Sequence, residues 1–366
     1  MPYGYNGKIL HVNLTEGSLS IEEPPEAFYR KYMGGSAMGL YYVLRETPRG
    51  VDALSPENVL TLMVSVLTGA PISGQSRLNA NAKSPLTGAI GDSQSGGFFP
   101  AELKFAGFDG IVIRGRSSKP VYLSILKGEA ALHDASHLMG KLTGEVDALL
   151  REEVGEPKAE VLQYGPAAEN GVLFSSLVSM ANRNNGRTGM GLVMASKNLK
   201  AIVVKGKGGV TVADPKALAA LSKIGPKILP DNPDMPGLAQ YGTASVVMFQ
   251  NAIGSLPTFN YNQGQFASAE PISGEVMYDT ILKDRDTCHA CIVRCKRVVE
   301  VKEGRYRADP LYGGPEYETL STFGSYCGVS DLAAIAEANQ ICNQYGVDTI
   351  SAGATIAFAM ECYEKG

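Results

Sequence analysis

Up to about Gly209 the chain is cut into short β-type runs separated by glycine-rich turns: KILHVNL, VLTLMVSVLTG, GIVIRG, VYLSIL, AEVLQYG and AIVVKG. Runs of that length between turn signals predict a mostly β domain with a few helices. After KGKGG, Lys205 to Gly209, the texture becomes helical. PKALAALSKI opens that part and the proline-broken LPDNPDMPG interrupts it. SDLAAIAEANQICNQYG predicts a helix capped by Ser330 and stopped by Gly346, and a second helix is expected over roughly Ser351 to Glu361. The fold class is therefore α+β, with a β-rich domain over residues 1–208 and a mainly helical one over 209–366. No internal repeat or low-complexity segment is visible in the sequence.

The 366 residues are 44% hydrophobic and 19% charged, which leaves room for two or three cores. A net charge of -4 gives no electrostatic case for nucleic acid or an anionic membrane as partner. MPYGYNGKILHVNL lacks a basic segment followed by an apolar one, so no secretory signal is expected. The longest apolar run, Val59 to Leu67, is less than half of a bilayer span. A cytoplasmic location follows. Six cysteines in a reducing compartment point to metal or burial, not disulfides.

Three of those cysteines lie in CHACIVRC: Cys288, Cys291 and Cys295. On a helix they would share a face, and the simplest reading is a buried stripe. Their neighbours His289, Arg294 and Lys296, with Asp284, Arg285 and Asp286 upstream, argue against it. Zinc would need His289 as fourth ligand, and its adjacency to Cys288 makes it a poor one. An iron-sulfur cubane, with three closely spaced thiolates and a distant fourth, is favoured over zinc, and zinc over burial. Arg294 and Lys296 would offset the cluster's charge.

NRNNGRTGMG, Asn182 to Gly191, sets Arg183 and Arg187 around Gly186, Gly189 and Gly191, with Asn184 between. Arginine forks and bare amides describe a phosphate or pyrophosphate site, though not a Walker loop or a dinucleotide fingerprint. The companion stretch SQSGG carries Gln94, Ser95, Gly96 and Gly97, and SGQSR adds Arg77. Two such loops in one domain suggest a large anionic cofactor; singly, each reads as a glycine-lined turn. In YGGPEYE, Glu316 and Glu318 share a face if the segment is extended and not if it is helical. Solvent exposure is the default for both, and proximity to a redox centre would make one a proton carrier.

These stretches, in collinear order with LSPEN, KSPLTG, YGPAAEN and the final helices, resemble the aldehyde:ferredoxin oxidoreductases over the whole chain. The resemblance implies a tungsten (or molybdenum) bis-pyranopterin, an Mg2+ ion bridging its phosphates, and one 4Fe-4S cluster. It places Cys288, Cys291 and Cys295 on the cluster. Arg77, the SQSGG loop and the Arg183 to Gly191 run fall on the pterin and its phosphates. Asn343 and Asp348 fall in a ring-binding element, and Glu318 lies beside the metal as the catalytic carboxylate. The expected reaction takes an aldehyde to a carboxylate and delivers electrons to ferredoxin or an iron-sulfur subunit.

Several positions depart from the family pattern. Asn343 replaces an acid, Gln94 an asparagine and Asn184 a small residue, and GGSAMG lacks an arginine found in many relatives. Those departures keep open a second enzyme reading, an ATP-independent reductase of benzoyl-coenzyme A on the same scaffold. A non-catalytic, cofactor- or partner-binding fragment is the alternative from another class. The resemblance also implies that the fourth cysteine and a C-terminal helical domain lie beyond residue 366, so that this chain is incomplete. Cys327, Cys342 and Cys362 are expected to be buried. Glu337 aligns with a residue that binds an intersubunit iron in some relatives, while Gln340 stands where some have histidine; a homodimer or hetero-oligomer remains open.

Overall fold

The computed structural model describes residues 3–366, which fall into two compact units. Among the described residues the first comprises 3–222 with Cys288–Cys291 and Tyr345–Val347; the second comprises Lys223–Thr287, Ile292–Gln344 and Asp348–Gly366. No helix of the described residues is long and apolar enough to cross a membrane.

In the first unit the elements run β1 (Ile9–Asn13), β2 (Ser18–Glu22), α1 (Glu26–Tyr32), α2 (Gly35–Glu46), β3 (Leu60–Met63), β4 (Leu78–Lys83), β5 (Ile90–Ser95), α3 (Phe99–Phe105) and β6 (Gly110–Arg114). Then come β7 (Val121–Leu126), β8 (Glu129–Asp134), α4 (Thr143–Glu153), β9 (Glu160–Tyr164), α5 (Pro166–Glu169), β10 (Leu177–Ser179), β11 (Arg183–Asn185), α6 (Met190–Ser196), β12 (Leu199–Lys205) and α7 (Pro215–Ser222). They build two six-stranded sheets, ordered β2-β1-β6-β3-β4-β5 and β11-β10-β9-β12-β7-β8.

The second sheet repeats the first strand for strand. The hairpin β1–β2 is antiparallel, β1 pairs parallel with β6, and β6–β3, β3–β4 and β4–β5 are antiparallel. The same sequence of pairings runs through β7–β8, β7–β12, β12–β9, β9–β10 and β10–β11. AGFDGIVIRG and KNLKAIVVKG occupy equivalent places, each entered by a left-handed residue, Gly107 and Asn198. The repeat is hidden in the sequence because only the strand's alternation and the turn geometry are kept, not the residue types.

Strand periodicity sorts side chains between two layers. Leu10, Leu62, Leu123 and Ile202 join Phe99 and Leu103 of α3 and Met190 and Val193 of α6 in one core. The alternate residues Ile9, Met63 and Val112 face Tyr29, Met38 and Tyr42 of α1 and α2. Ala201 and Val203 likewise face Val146 and Leu150 of α4. With both faces covered, the central strands read as unbroken apolar runs.

The second unit holds α8 (Gly225–Ile228), α9 (Met235–Tyr241), α10 (Val247–Ala252), α11 (Gly274–Thr280), the hairpin β13 (Leu282–Asp286) and β14 (Lys296–Val299), α12 (Tyr317–Thr319), α13 (Leu332–Tyr345) and α14 (Thr349–Lys365). Its core gathers Val247, Leu256, Phe266, Ile272, Met277, Val299, Leu320 and Ile335. Two helix starts differ from expectation. Asp331, not Ser330, caps α13, accepting from the backbone N–H groups of Ala333 and Ala334. Asp348 caps α14 two residues earlier than predicted, accepting from Ile350 and Ser351. Cys327 and Cys342 are buried as expected, whereas Cys362 is exposed on α14.

Candidate functional site

The cysteine motif is not helical. It is the loop of the β13–β14 hairpin, turned by two left-handed residues, Ala290 and Arg294, with Cys291 N–H donating to the Cys288 carbonyl. Cys288, Cys291 and Cys295 are each half-buried, so the core-stripe reading fails.

Cys288 and Cys291 belong to the first unit, where loops of the first sheet hold them. A Cβ built on Gly96 would lie 2.6 Å from Cys288 Sγ, so only glycine lets this backbone pass the thiol. Ser73 Oγ stands 3.3 Å from Cys291 Sγ. Between them, His289 N–H donates to the Gly97 carbonyl and its own carbonyl accepts from Gln75 Nε2 at 3.2 Å. The His289 ring stands edge-on to Phe98 and Phe105. Ser76 Oγ completes the socket by donating to the Gly97 carbonyl at 2.7 Å.

The two glycine-rich stretches meet in the same unit, and both begin as strands, not loops. Gln94 and Ser95 end β5, and Arg183 and Asn184 lie in β11. Ser95 and Asn185 hold equivalent places in the repeat, opposite Leu78 and Leu177. They touch one another: Ser95 Oγ lies 2.8 Å from Asn185 Oδ1, and Asn185 Nδ2 donates to the Ser93 and Leu78 carbonyls. The Arg183 stem packs on Gly97, whose added Cβ would lie 3.2 Å from Arg183 Cγ. Arg77, Gln94 and Arg187 are exposed, Asn184 and Gly186 partly so, and Arg183 is buried.

Gly189 and Gly191 serve packing. Their added Cβ atoms would lie 2.1 Å from the Leu173 carbonyl oxygen and 2.4 Å from that of Ser176. The Gly191 amide already donates to Ser175.

In the second unit Cys295 precedes β14, and its carbonyl lies 2.8 Å from where a Cβ on Gly242 would sit. The charges flanking it are already committed. Lys296 Nζ pairs with Glu316 at 2.5 Å, and Arg294 donates to the Arg285 carbonyl and approaches Asp284. Lys296 and Arg294 therefore offer less positive charge to a cluster than their spacing suggests. Glu316 also accepts from Thr243 Oγ1.

Glu318 lies two residues on in α12 and is exposed. Because the segment is extended at Glu316 and helical from Tyr317, the two carboxylates do not share a face. A π-helical turn, Leu320–Gly324, follows at once. Burial, and the Glu318 charge with it, pushes the Tyr317 phenol up; burial, Tyr261 and Glu318 do the same for Tyr326. The Glu318 charge thus acts on both phenols, and Tyr261 and Tyr326 stack edge-on with ring centroids 4.7 Å apart. Asn343 is buried with Nδ2 donating to the Tyr312 carbonyl at 2.9 Å, and the buried Asp348 carboxylate is engaged as the α14 cap. Gln340, on the same helix as Glu337, accepts from the Asp309 N–H.

Sequence reasoning noticed SGQSR only for its arginine; Ser73, Gln75 and Ser76 in the same stretch, with Asn185 and His289, are what hold the loops together. Tyr261 and Tyr326 carried no sequence signal, since their ring stacking is tertiary.

Two family profiles match the chain: "Aldehyde ferredoxin oxidoreductase, N-terminal domain" over residues 9–206 and "Aldehyde ferredoxin oxidoreductase, domains 2 & 3" over residues 220–366. The tungsten-containing aldehyde ferredoxin oxidoreductase of Pyrococcus furiosus is 42% identical over 369 residues, covering 100% of this chain and 60% of that protein. The aliphatic sulfonate oxidoreductase, WOR-like subunit, of the same organism is 30% identical over 394 residues, covering 100% of this chain and 60% of the relative. Among solved structures, the active site complex BamBC of benzoyl coenzyme A reductase, with bound 1,5-dienoyl-CoA, matches with a TM-score of 0.87 at 29% identity, over 100% of this chain and 57% of that one. The chain thus spans about 60% of the length of the curated relatives it matches.

Proposed function

Since the chain belongs to the aldehyde ferredoxin oxidoreductase family, we propose that it carries the cofactor-binding part of an oxidoreductase taking an aldehyde to a carboxylic acid with ferredoxin as electron acceptor. One observation supports this most: the two glycine-rich stretches and the first two cysteines converge in one unit, on backbone that tolerates no Cβ at Gly96. That arrangement fits a large anionic group beside a thiolate-bound cluster.

When bound, a tungsten (or molybdenum) bis-pyranopterin supplies two-electron oxidation and a 4Fe-4S cluster supplies one-electron transfer. The chain's own residues do the rest. Arg77 and Arg187, both exposed, would offer guanidinium forks to phosphate oxygens, whose remaining charge an Mg2+ ion would share. Gly96 leaves room for the Cys288 thiol and Gly97 for the Arg183 stem, Ser95 ties the two stretches through Asn185, and Gln94 would offer its exposed amide. Arg183, through its stem on Gly97, fixes the second stretch against the first, with Asn184, Gly186, Gly189 and Gly191 shaping its turn.

Cys288, Cys291 and Cys295 would each hold one iron as thiolates. Glu318 would take or return the substrate proton at its exposed carboxylate. Asn343 and Asp348 would supply the ring-binding element, an amide and a carboxylate oxygen being acceptors suited to ring N–H groups.

In Cys291→Ser the iron content and electron transfer to ferredoxin should be lost while the group-six metal is largely kept. Full iron content in that variant contradicts the assignment. The likeness to benzoyl coenzyme A reductase favours a second reading, reduction of an aromatic acyl thioester. Aldehyde-dependent against benzoyl-coenzyme-A-dependent electron flow in the same preparation separates the two.

A further inference from the structure

We propose that Ser73 sets the reduction potential of the cluster by donating a hydrogen bond to the sulfur of Cys291; the proposal rests on the cluster reading above. In the structure the Cys291 thiol stands in for the thiolate ligand, and Ser73 Oγ approaches its Sγ at 3.3 Å, within hydrogen-bond reach of sulfur. Both residues lie in the first unit, and their approach is held by other bonds. Gln75, two residues on, donates to the His289 carbonyl, and Ser76 Oγ and His289 N–H both bind the Gly97 carbonyl. The loop carrying Ser73 and the loop carrying Cys291 are thus tied to one another within two to three residues of the contact.

The sign follows from charge. A hydrogen bond to a ligating sulfur stabilises the more negative, reduced cluster, so it raises the potential. Beside Cys295, Lys296 pairs with Glu316 and Arg294 with the Arg285 carbonyl and Asp284, whereas the Ser73 hydroxyl lies within hydrogen-bond distance of a ligand sulfur itself. Ser73 is exposed, so its removal leaves no cavity. It is a positioning and tuning residue, not a catalytic one, because it acts through Cys291.

The experiment is a dithionite titration of anaerobically purified holoprotein, followed by low-temperature electron paramagnetic resonance, for the wild type, Ser73→Ala and Ser73→Thr. In Ser73→Ala the iron content should be unchanged while the ratio of reduced to oxidised cluster at fixed potential falls about tenfold, a shift of ~59 mV for one electron. An exchangeable-proton coupling at the cluster, read by deuterium exchange, should disappear with it. Ser73→Thr, which keeps the hydroxyl, should restore both. A midpoint and proton coupling unchanged in a fully loaded Ser73→Ala overturn the proposal. Wild-type protein lacking iron and any cluster signal overturns the cluster reading itself, and the two failures are told apart by the wild-type iron content.

Discussion

Environment separates the six thiols into two classes. Burial pushes Cys327 up to about 11, and burial with the Asp348 charge pushes Cys342 up to about 12, so both stay protonated and inert near neutrality. Cys362 is exposed on α14. In the folded protein at pH 8 an alkylating reagent should therefore label Cys362 well ahead of Cys327 and Cys342, as mapped by peptide mass spectrometry. Equal rates at the three would contradict the packing of α13 and of the turn before it.

Glu160, in β9, is a second residue whose surroundings set its chemistry. Burial raises its carboxyl from 4.5 to about 7, only partly countered by Arg151, 4.0 Å away. A raised folded pKa means that the folded state holds a proton the unfolded chain releases. Stability is then greatest below about pH 4.5 and is lost as pH rises through 7. At 1.36 kcal/mol per pKa unit the loss is on the order of 3–4 kcal/mol at most. Glu160→Gln should accordingly raise the Tm at pH 8, with the gain shrinking toward pH 4.5; a gain independent of pH would contradict the linkage.

At the scale of elements, glycine positions decide how closely chains pass. A Cβ on Gly191, at the start of α6, would lie 2.4 Å from the Ser176 carbonyl oxygen, an atom of backbone that cannot step aside. Gly191→Ala should cost about 2–4 kcal/mol in denaturant unfolding, in the range of steric changes to a packed interior. Gly209→Ala, with nothing within 4 Å of its Cβ, should stay within about 0.5 kcal/mol. Similar costs at both would mean that the glycines are kept for flexibility.

Legibility in the sequence follows the same physics. Strands β1, β3, β6, β7, β9 and β12 were readable because both faces are covered and their residues are apolar. Strands β4, β5 and β11 were not, because LNANAK, IGDSQS and RNN spend alternate positions on polar bonds such as Asn79 to Ser36 and Asn185 to Ser93. The motif residues of the site were readable as types and spacings. What the sequence could not show was contact: that Asn185 joins the two stretches, that Ser73 reaches Cys291, and that Glu316 answers Lys296. Helices α13 and α14 were readable in type, with the α13 cap falling one residue on, at Asp331, and α14 starting two residues earlier than expected, where Asp348 caps it.

Across the whole chain, one topology used twice and a cysteine hairpin loop make up the arrangement to be explained. Each repeat ends its fifth strand beside the other's, at Ser95 and Asn185, and both candidate phosphate stretches follow from those strand ends. A stack of two covered sheets with such a junction is a rigid base for a large group. The family profiles cover most of the chain in order, in keeping with that architecture being the shared one. The most direct measurement is the content of iron, tungsten, molybdenum and zinc in protein purified without oxygen from the gene read to its natural stop codon. About four irons per chain together with tungsten or molybdenum is the expected result; zinc without either group-six metal would make the cysteine loop a structural site and contradict the redox function.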